Sequence, residues 1–144
     1  MRTEDLRVQA LKNPLGINEN PVFSWQLVSD KKDEKNERQT AYRILVSESE
    51  ASLINETGML WDSGVVKGSR CFGILYQGKK LHSAQKAYWK VMVWDGENQA
   101  SVWSETASFE TGLLEREDWK GTWIGQGEDY ENQELAPVLV GEFE

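Results

Sequence analysis

The side chains of this 144-residue chain with the most chemical potential are its seven tryptophans, because an exposed indole offers a flat π surface on which an apolar sugar face stacks. Trp25 and Trp89 alternate with polar neighbours and are predicted to lie in the core. The others are candidate contacts for a sugar or a neighbouring domain, and we favour packing or interdomain burial over a sugar site. These candidates are Trp61, Trp94, Trp103, Trp119 and Trp123.

Other reactive groups are too few to build a known kind of centre. His82 and Cys71 are the only histidine and cysteine, so a nucleophilic triad lacks its partners and a zinc site lacks ligands. The glycines of 125–127 (GQG) are followed neither by Lys-Ser/Thr nor by a predicted helix. This segment is therefore not predicted to be a phosphate-binding loop. We therefore predict no catalytic residue, no cofactor and no metal in this chain.

Charge and cysteine content restrict the partners and the compartment. The formal net charge of −8 repels the nucleic-acid backbone, so a nucleic-acid partner is not expected. Nor is a membrane partner, because no apolar run approaches the roughly 20 residues that span a bilayer. Residues 1–10 lack the apolar segment of a signal peptide, and the lone cysteine agrees with a reducing compartment. We expect a cytoplasmic location, although a removed signal peptide leaves no trace in a sequence.

The hydrophobic pattern has period two along most of the chain, which predicts β-strands. The segments Leu6–Leu11, Phe23–Leu27 and Thr40–Ser47 alternate, and the last is apolar on both faces, as a central strand would be. The run 87–95 (AYWKVMVWD) is expected to turn Trp89, Val91 and Val93 inward and to pair, across a polar turn, with the strand that leads through 107–111 (ASFET). Its residues Tyr88, Lys90, Met92 and Trp94 would then face outward.

The remaining segments complete the expected architecture. Residues 49–57 lose the alternation and contain good helix formers before Gly58, which predicts a short helix capped by that glycine. Residues 60–64 and 70–76 are predicted strands, whereas the balanced charges of 30–38 indicate a solvated loop. About seven short strands with frequent turns predict an all-β, immunoglobulin-like or fibronectin type III-like β-sandwich with a helical insertion near 49–57.

The composition changes after Leu114. We predict that residues 1–114 form the sandwich and that 115–144 comprise an interdomain linker followed by the first strand of a truncated β-sandwich domain. The basis is Leu135–Phe143, an apparent strand that follows an acidic, glycine-containing linker. With no further strand beside it, its edge would be left unpaired by the chain itself.

A series of motifs, in order along nearly the whole chain, resembles the N-terminal region of bacterial α-L-rhamnosidases of glycoside hydrolase family 78. The resemblance implies a fibronectin type III-like sandwich, and APVLVGEFE (136–144) resembles the first strand of the next domain of that family. The motifs are NPLGI (13–17), FSWQL (23–27), RQTAYRILVSES (38–49), LWDSGVV (60–66), AYWKVMVWD (87–95), WSE (103–105), ASFETGLL (107–114) and DWKGTWIG (118–125).

The resemblance also limits what this chain can do. Members of the family hydrolyse terminal α-L-rhamnose by inversion, with acidic residues of an (α/α)6 barrel that lies downstream of this region. Inversion needs two carboxyl groups about 6.5 to 9.5 Å apart across an enclosed sugar site, and nothing in the sequence marks such a pair. The resemblance therefore implies a parent protein that is an enzyme and a chain that is not.

Three functions follow from these observations. The leading one is a non-catalytic accessory domain that braces or orients the catalytic barrel, with the downstream domains of the same parent chain as its partners. The second is a carbohydrate-binding module that recognises rhamnose-containing glycan through surface tryptophans. The third is a stand-alone protein-interaction fibronectin type III domain, suggested by 102–105 (VWSE), although the lack of a signal segment and of disulfides argues against an extracellular receptor.

Overall fold

The computed structural model describes residues 1–30 and 38–122 and shows a sandwich of short strands. Most of the charged loop, together with Trp123 and the predicted strand Leu135–Phe143, lies outside the described residues. The described helices are too short to cross a membrane. The strands are β1 (Arg2–Val8), β2 (Val22–Val28), β3 (Ala41–Ser47), β4 (Met59–Asp62), β5 (Val66–Lys67), β6 (Ile74–Leu75), β7 (Lys86–Trp94) and β8 (Ala107–Glu110), and the helices are α1 (Glu50–Asn55) and a 3-10 helix (Arg116–Asp118).

The strands form two antiparallel sheets, which confirms the predicted all-β, immunoglobulin-like sandwich. One sheet has the order β1-β2-β6, and the larger sheet has the order β4-β3-β7-β8. Strand β5 pairs with the beginning of β3 and β4 pairs with its end, on the edge of β3 away from β7. Strand β3 is therefore central, as predicted, and β7 pairs with β8 as the expected antiparallel hairpin.

The core lies between the sheets and is built from aromatic rings. Phe23, on β2, lies 4.6 Å from Trp89 and 6.0 Å from Phe109, measured between ring centroids. Trp25 and Trp89 are buried as predicted, and so are Val91 and Val93. The alternation of β2 and β7 thus places one face of each strand in the same apolar interior.

Helix α1 covers part of the outer face of the larger sheet. Leu53 on the helix and Leu45 on β3 are both fully buried, although they lie outside the main core. The Ser49 hydroxyl accepts a hydrogen bond from the amide of Ser52, which caps the amino end of the helix. The helix is confirmed, but its left-handed C-terminal cap is Glu56, at φ 51°, and not the predicted Gly58.

Two predicted strands differ from the structure. The first strand begins at Arg2 and ends at Val8, because the chain reverses in a tight turn with Gln9 and Ala10 at positive φ. The alternation predicted for Leu6–Leu11 therefore ends at Val8. The predicted strand 70–76 is reduced to the two residues of β6, and the equally short β5 is not predicted at all.

A seam joins the loop after β1 to the end of β8. Ile17 and Thr111 form a parallel bridge, in which the Ile17 amide donates to the Glu110 carbonyl and the Gly112 amide donates to the Ile17 carbonyl. A Cβ added at Gly112 would lie 2.6 Å from the Asn18 side-chain oxygen, so only glycine fits this close approach without a shift. The seam fixes the point at which the chain leaves the sandwich.

Candidate functional site

Trp61 lies at the boundary between the core and the open side of the sandwich. It is half-buried on β4, with its ring 5.8 Å from Phe23 and 5.4 Å from Tyr76 between centroids. A Cβ added at Gly78 would lie 2.5 Å from the Trp61 Cβ, so the backbone at Gly78 packs directly against this tryptophan. Trp61 is therefore held from two sides by packing.

Trp103 lies over the outer face of the larger sheet and is covered by cations. The Lys90 Nζ is 4.6 Å from its ring centroid and the Arg43 Cζ is 5.8 Å from it. Both distances are in the range of cation–π attraction. The two cations therefore cover part of this half-buried ring, which packs against the outer face of the sheet.

Trp94 and Trp119 lie elsewhere. Trp94 is half-buried at the end of β7, where it pairs with Ala41. Trp119 follows the 3-10 helix, is 63% exposed and packs against the backbone of Gly121. Within the described residues no ring contact joins any two of the predicted tryptophans, and Trp123 lies outside these residues. Among the described candidates, therefore, no two tryptophan rings pack against each other.

The carboxylates with shifted pKa values form hydrogen bonds and ion pairs with cationic groups. Arg43 donates to both oxygens of Asp62, at 3.0 and 2.7 Å, and this pair lowers the pKa of Asp62 and raises the pKa of Arg43. Hydrogen bonds lower the pKa of Asp5, and the one from Lys12 has a larger effect than the one from Arg7. A general acid in glycoside hydrolysis needs a raised carboxyl pKa. These two carboxylates are held ionised, which suits ion pairing and not proton donation.

A cavity of about 300 Å³, here called the lateral pocket, opens on the side of the sandwich between the edges of the two sheets. It exists because β5 and β6 are only two residues long and leave the inner-face aromatic residues accessible from the side. No Asp or Glu lines it. The lining residues are Tyr42, Trp61, Ser63, Val66, Arg70, Gly73, Ile74, Leu75 and Gln77.

The polar groups of the lateral pocket are available to a ligand. In the described part of the chain, the Tyr42 hydroxyl, the Trp61 indole N–H and the side chains of Arg70 and Gln77 make no hydrogen bond to protein. Burial raises the pKa of Tyr42, and the positive charge of Arg70 partly opposes that rise. Sequence reasoning selected only Trp61 from this set, because only strand pairing brings the other three beside it.

A larger groove of about 510 Å³ runs between β1 and residues 102–107. Four of its five charged side chains form ion pairs with one another, and the fifth, Glu105, is an exposed carboxylate. Arg2 contacts Glu4 at 2.8 Å, and Lys12 contacts Asp5 at 2.9 Å. Among residues 1–30 and 38–122, no group of three or more His, Cys, Asp or Glu side chains could hold a metal ion. The lateral pocket is thus the better candidate for a ligand.

Comparison with known proteins places this sandwich in a family. A family model described as the Rha78A-like, N-terminal immunoglobulin domain matches residues 3–115. The chain belongs to this family. This Rha78A-like domain is 43% identical over 114 residues to an α-L-rhamnosidase of Alteromonas sp. (strain LOR), and the match covers 78% of this chain. It is 42% identical over 118 residues, 81% of this chain, to an α-L-rhamnosidase of Formosa agariphila.

Solved structures agree with this membership. The structure of an α-L-rhamnosidase from Dictyoglumus thermophilum matches with a TM-score of 0.81 at 42% identity, over 88% of this chain and 14% of that one. A Streptomyces avermitilis α-L-rhamnosidase complexed with L-rhamnose gives the same TM-score at 31% identity, over 89% of this chain and 12% of that one. The chain spans only 12% of the length of the curated relatives it matches. The predicted resemblance to the N-terminal region of rhamnosidases is confirmed.

Proposed function

We propose that this chain is a non-catalytic accessory domain of an α-L-rhamnosidase and that its partners are other domains of the same parent protein. One observation carries the proposal: the chain belongs to a family of N-terminal immunoglobulin domains, and its relatives are rhamnosidases of which it spans about an eighth. The parent would hydrolyse terminal α-L-rhamnose with residues that lie outside this chain.

The chemistry of the carboxylates supports a non-catalytic role. Every carboxyl group of the described residues with a resolved pKa shift, namely Asp5, Asp30 and Asp62, is shifted downward by hydrogen bonds from cationic groups. A pair that performs inverting hydrolysis needs one carboxyl group with a raised pKa. These groups therefore serve as partners of Arg, Lys and the amino terminus.

The end of the sandwich around the seam offers a surface for a neighbouring domain. Leu15 and Leu113 flank the seam and are 78% and 46% exposed, and the exposed Trp119 follows shortly after in the chain. Hydrogen bonds from the Leu114 amide to the Ser83 Oγ and from Ser83 to Asp118 tie this segment to the domain. We call Leu15, Leu113 and Trp119 the exit surface, and we place the proposed boundary between sandwich and linker beside it, at residues 114 and 115.

Binding between this chain and the separately produced remainder of its parent enzyme tests the exit surface. Calorimetry should show saturable binding that L113D and W119A each weaken by about tenfold, because apolar anchors dominate interface energetics. The matched control is V102D, which places the same charge on an exposed valine beside the β1 groove. Equal binding by all variants would contradict the role of the exit surface.

An activity assay tests the non-catalytic role separately. The 144-residue chain should not release p-nitrophenol from p-nitrophenyl α-L-rhamnopyranoside above the rate without protein. If it did, and if a carboxylate substitution such as D62N or D5N in this chain abolished that release, the accessory role would be wrong. Circular dichroism of each variant would show that the sandwich is intact.

A further inference from the structure

Packing and hydrogen bonds hold the aromatic wall of the lateral pocket and the backbone that carries Arg70. Trp61 packs against both Phe23 and Tyr76. The backbone of Arg70 is fixed by Gln39, whose side-chain amide donates to the Arg70 carbonyl at 2.8 Å and to the Gly68 carbonyl at 3.2 Å. Gln39 is itself buried. This preorganisation of the aromatic wall and of the Arg70 backbone lowers the entropy cost of binding, so the side chains that a ligand must still order are those of Arg70 and Gln77.

The shape of the lateral pocket suits one ring-shaped ligand. Its volume of about 300 Å³ is at the lower end of the range for small-molecule sites. Two aromatic residues, Tyr42 and Trp61, line it and provide apolar surface. The exposed side chain of Leu75 extends this apolar surface to the rim. A pyranose has both the size and the mixed polarity for this arrangement, because its C–H face stacks on aromatic rings while its hydroxyls accept hydrogen bonds.

The charge of the pocket selects among such ligands. Arg70 is a cation without an ion-pair partner in the described residues, and the lining contains no carboxylate, although the chain has 24 acidic residues. A guanidinium binds a carboxylate in a bidentate, charge-assisted manner. The indole N–H of Trp61 and the amide of Gln77 add further donors. The pocket is therefore rich in donors that suit an acceptor-rich anion.

We propose that the lateral pocket binds a single pyranose ring that carries a carboxylate, such as a uronic acid residue of a glycan. In this complex Arg70 pairs with the carboxylate, Trp61 and Tyr42 contact the ring, and Gln77 hydrogen-bonds a hydroxyl. This function is additional to the accessory role and does not depend on it, because it uses the side of the sandwich and leaves the exit surface free.

Calorimetric titration of the 144-residue chain with sodium glucuronate, and separately with glucose as the neutral analogue, tests the proposal. Glucuronate should bind saturably, and glucose should bind at least about tenfold more weakly, because it lacks the carboxylate that pairs with Arg70. In ¹H–¹⁵N spectra, glucuronate should shift the Trp61 indole N–H signal. The absence of saturable glucuronate binding, or equal binding of glucose, would overturn the proposal.

Substitutions at Arg70 and at the neighbouring Lys67 test whether glucuronate binds in the lateral pocket. R70Q should weaken glucuronate binding by about tenfold, and R70K, which keeps the charge but loses the bidentate geometry, should recover part of it. The matched control is K67Q, because Lys67 is exposed on β5 beside the pocket but does not line it. Wild-type affinity in R70Q, or an equal loss in K67Q, would show that Arg70 does not hold the carboxylate.

Discussion

The ammonium group of Lys90 lies 4.6 Å from the ring centroid of Trp103, and the Lys90 side chain is only 9% exposed. Lys90 points to the outer face of β7, where a lysine would normally be solvated. Trp103 covers it there, and the Glu56 carboxylate lies 3.8 Å from its Nζ. The indole and the carboxylate together replace part of the water that the buried cation has lost.

Removal of the indole should destabilise the domain. We expect W103A to lower the free energy of unfolding by about 2 kcal/mol, because it removes apolar contact and the cation–π attraction from a buried charge. Urea denaturation measures the change. The double variant W103A/K90M should recover part of the loss, since methionine has no charge to desolvate. A double variant as unstable as W103A would show that the cation is not the cause.

Gln39 links strand β2 to the loop that follows β5 through a buried hydrogen-bond network. Its side-chain oxygen accepts from the Trp25 indole N–H at 3.0 Å, and its amide serves two backbone carbonyls. Q39L would leave these three groups unpaired and should cost about 2 to 4 kcal/mol of unfolding free energy. The control Q77L changes an exposed glutamine and should stay within about 0.5 kcal/mol of wild type in the same denaturation experiment.

Gly78 should tolerate no side chain. A Cβ there would lie 2.5 Å from the Leu60 carbonyl oxygen, the Trp61 Cβ and the Tyr76 hydroxyl, so G78A should lower the free energy of unfolding by about 1 to 3 kcal/mol. The matched control is G96A, because no atom lies within 4 Å of a Cβ at Gly96 and that variant should unfold like wild type. Equal thermal midpoints for the two variants would show that the contact at Gly78 relaxes without cost.

Burial raises the pKa of Tyr76 to about 12, whereas an unfolded tyrosine titrates near 10. Above about pH 10 the unfolded state therefore loses this proton first, and the contribution of Tyr76 to stability, complete below that pH, should fall as the pH rises toward 12. Y76F should be less stable than wild type at pH 8 by about 1 kcal/mol, because its hydrogen bond to the Lys79 carbonyl is lost. The deficit should shrink between pH 10 and 12 in urea denaturation, and a constant deficit would contradict the assignment.

Periodicity predicted β2, β3 and β7 well because burial of one face imposes an alternation on a strand. Phe23 and Trp25 on β2, and Trp89 on β7, lie where their alternation places them. The outward position of Lys90 was also predictable, but its burial was not. That burial depends on Trp103, which is supplied by a different segment of the chain.

The short elements were not predictable in the same way. Strands β5 and β6 have two residues each, too few to show an alternation, and their ends create the lateral pocket. Arg70 carries no sequence signal of its role, because its position beside Tyr42 depends on tertiary contacts. The turn at Gln9 and Ala10 was missed because neither residue is a usual choice for positive φ.

The bridge between Ile17 and Thr111 connects segments from opposite ends of the described chain. Its two segments are far apart in sequence, so closing the loop between them costs much conformational entropy. The bridge is therefore expected to form late in folding and to be a poor folding nucleus. The hairpin of β7 and β8 closes a much shorter loop and is better suited to form early. Substitutions at the seam, such as at Gly112, should therefore accelerate unfolding more than they slow folding, so that the seam controls how long the native domain persists.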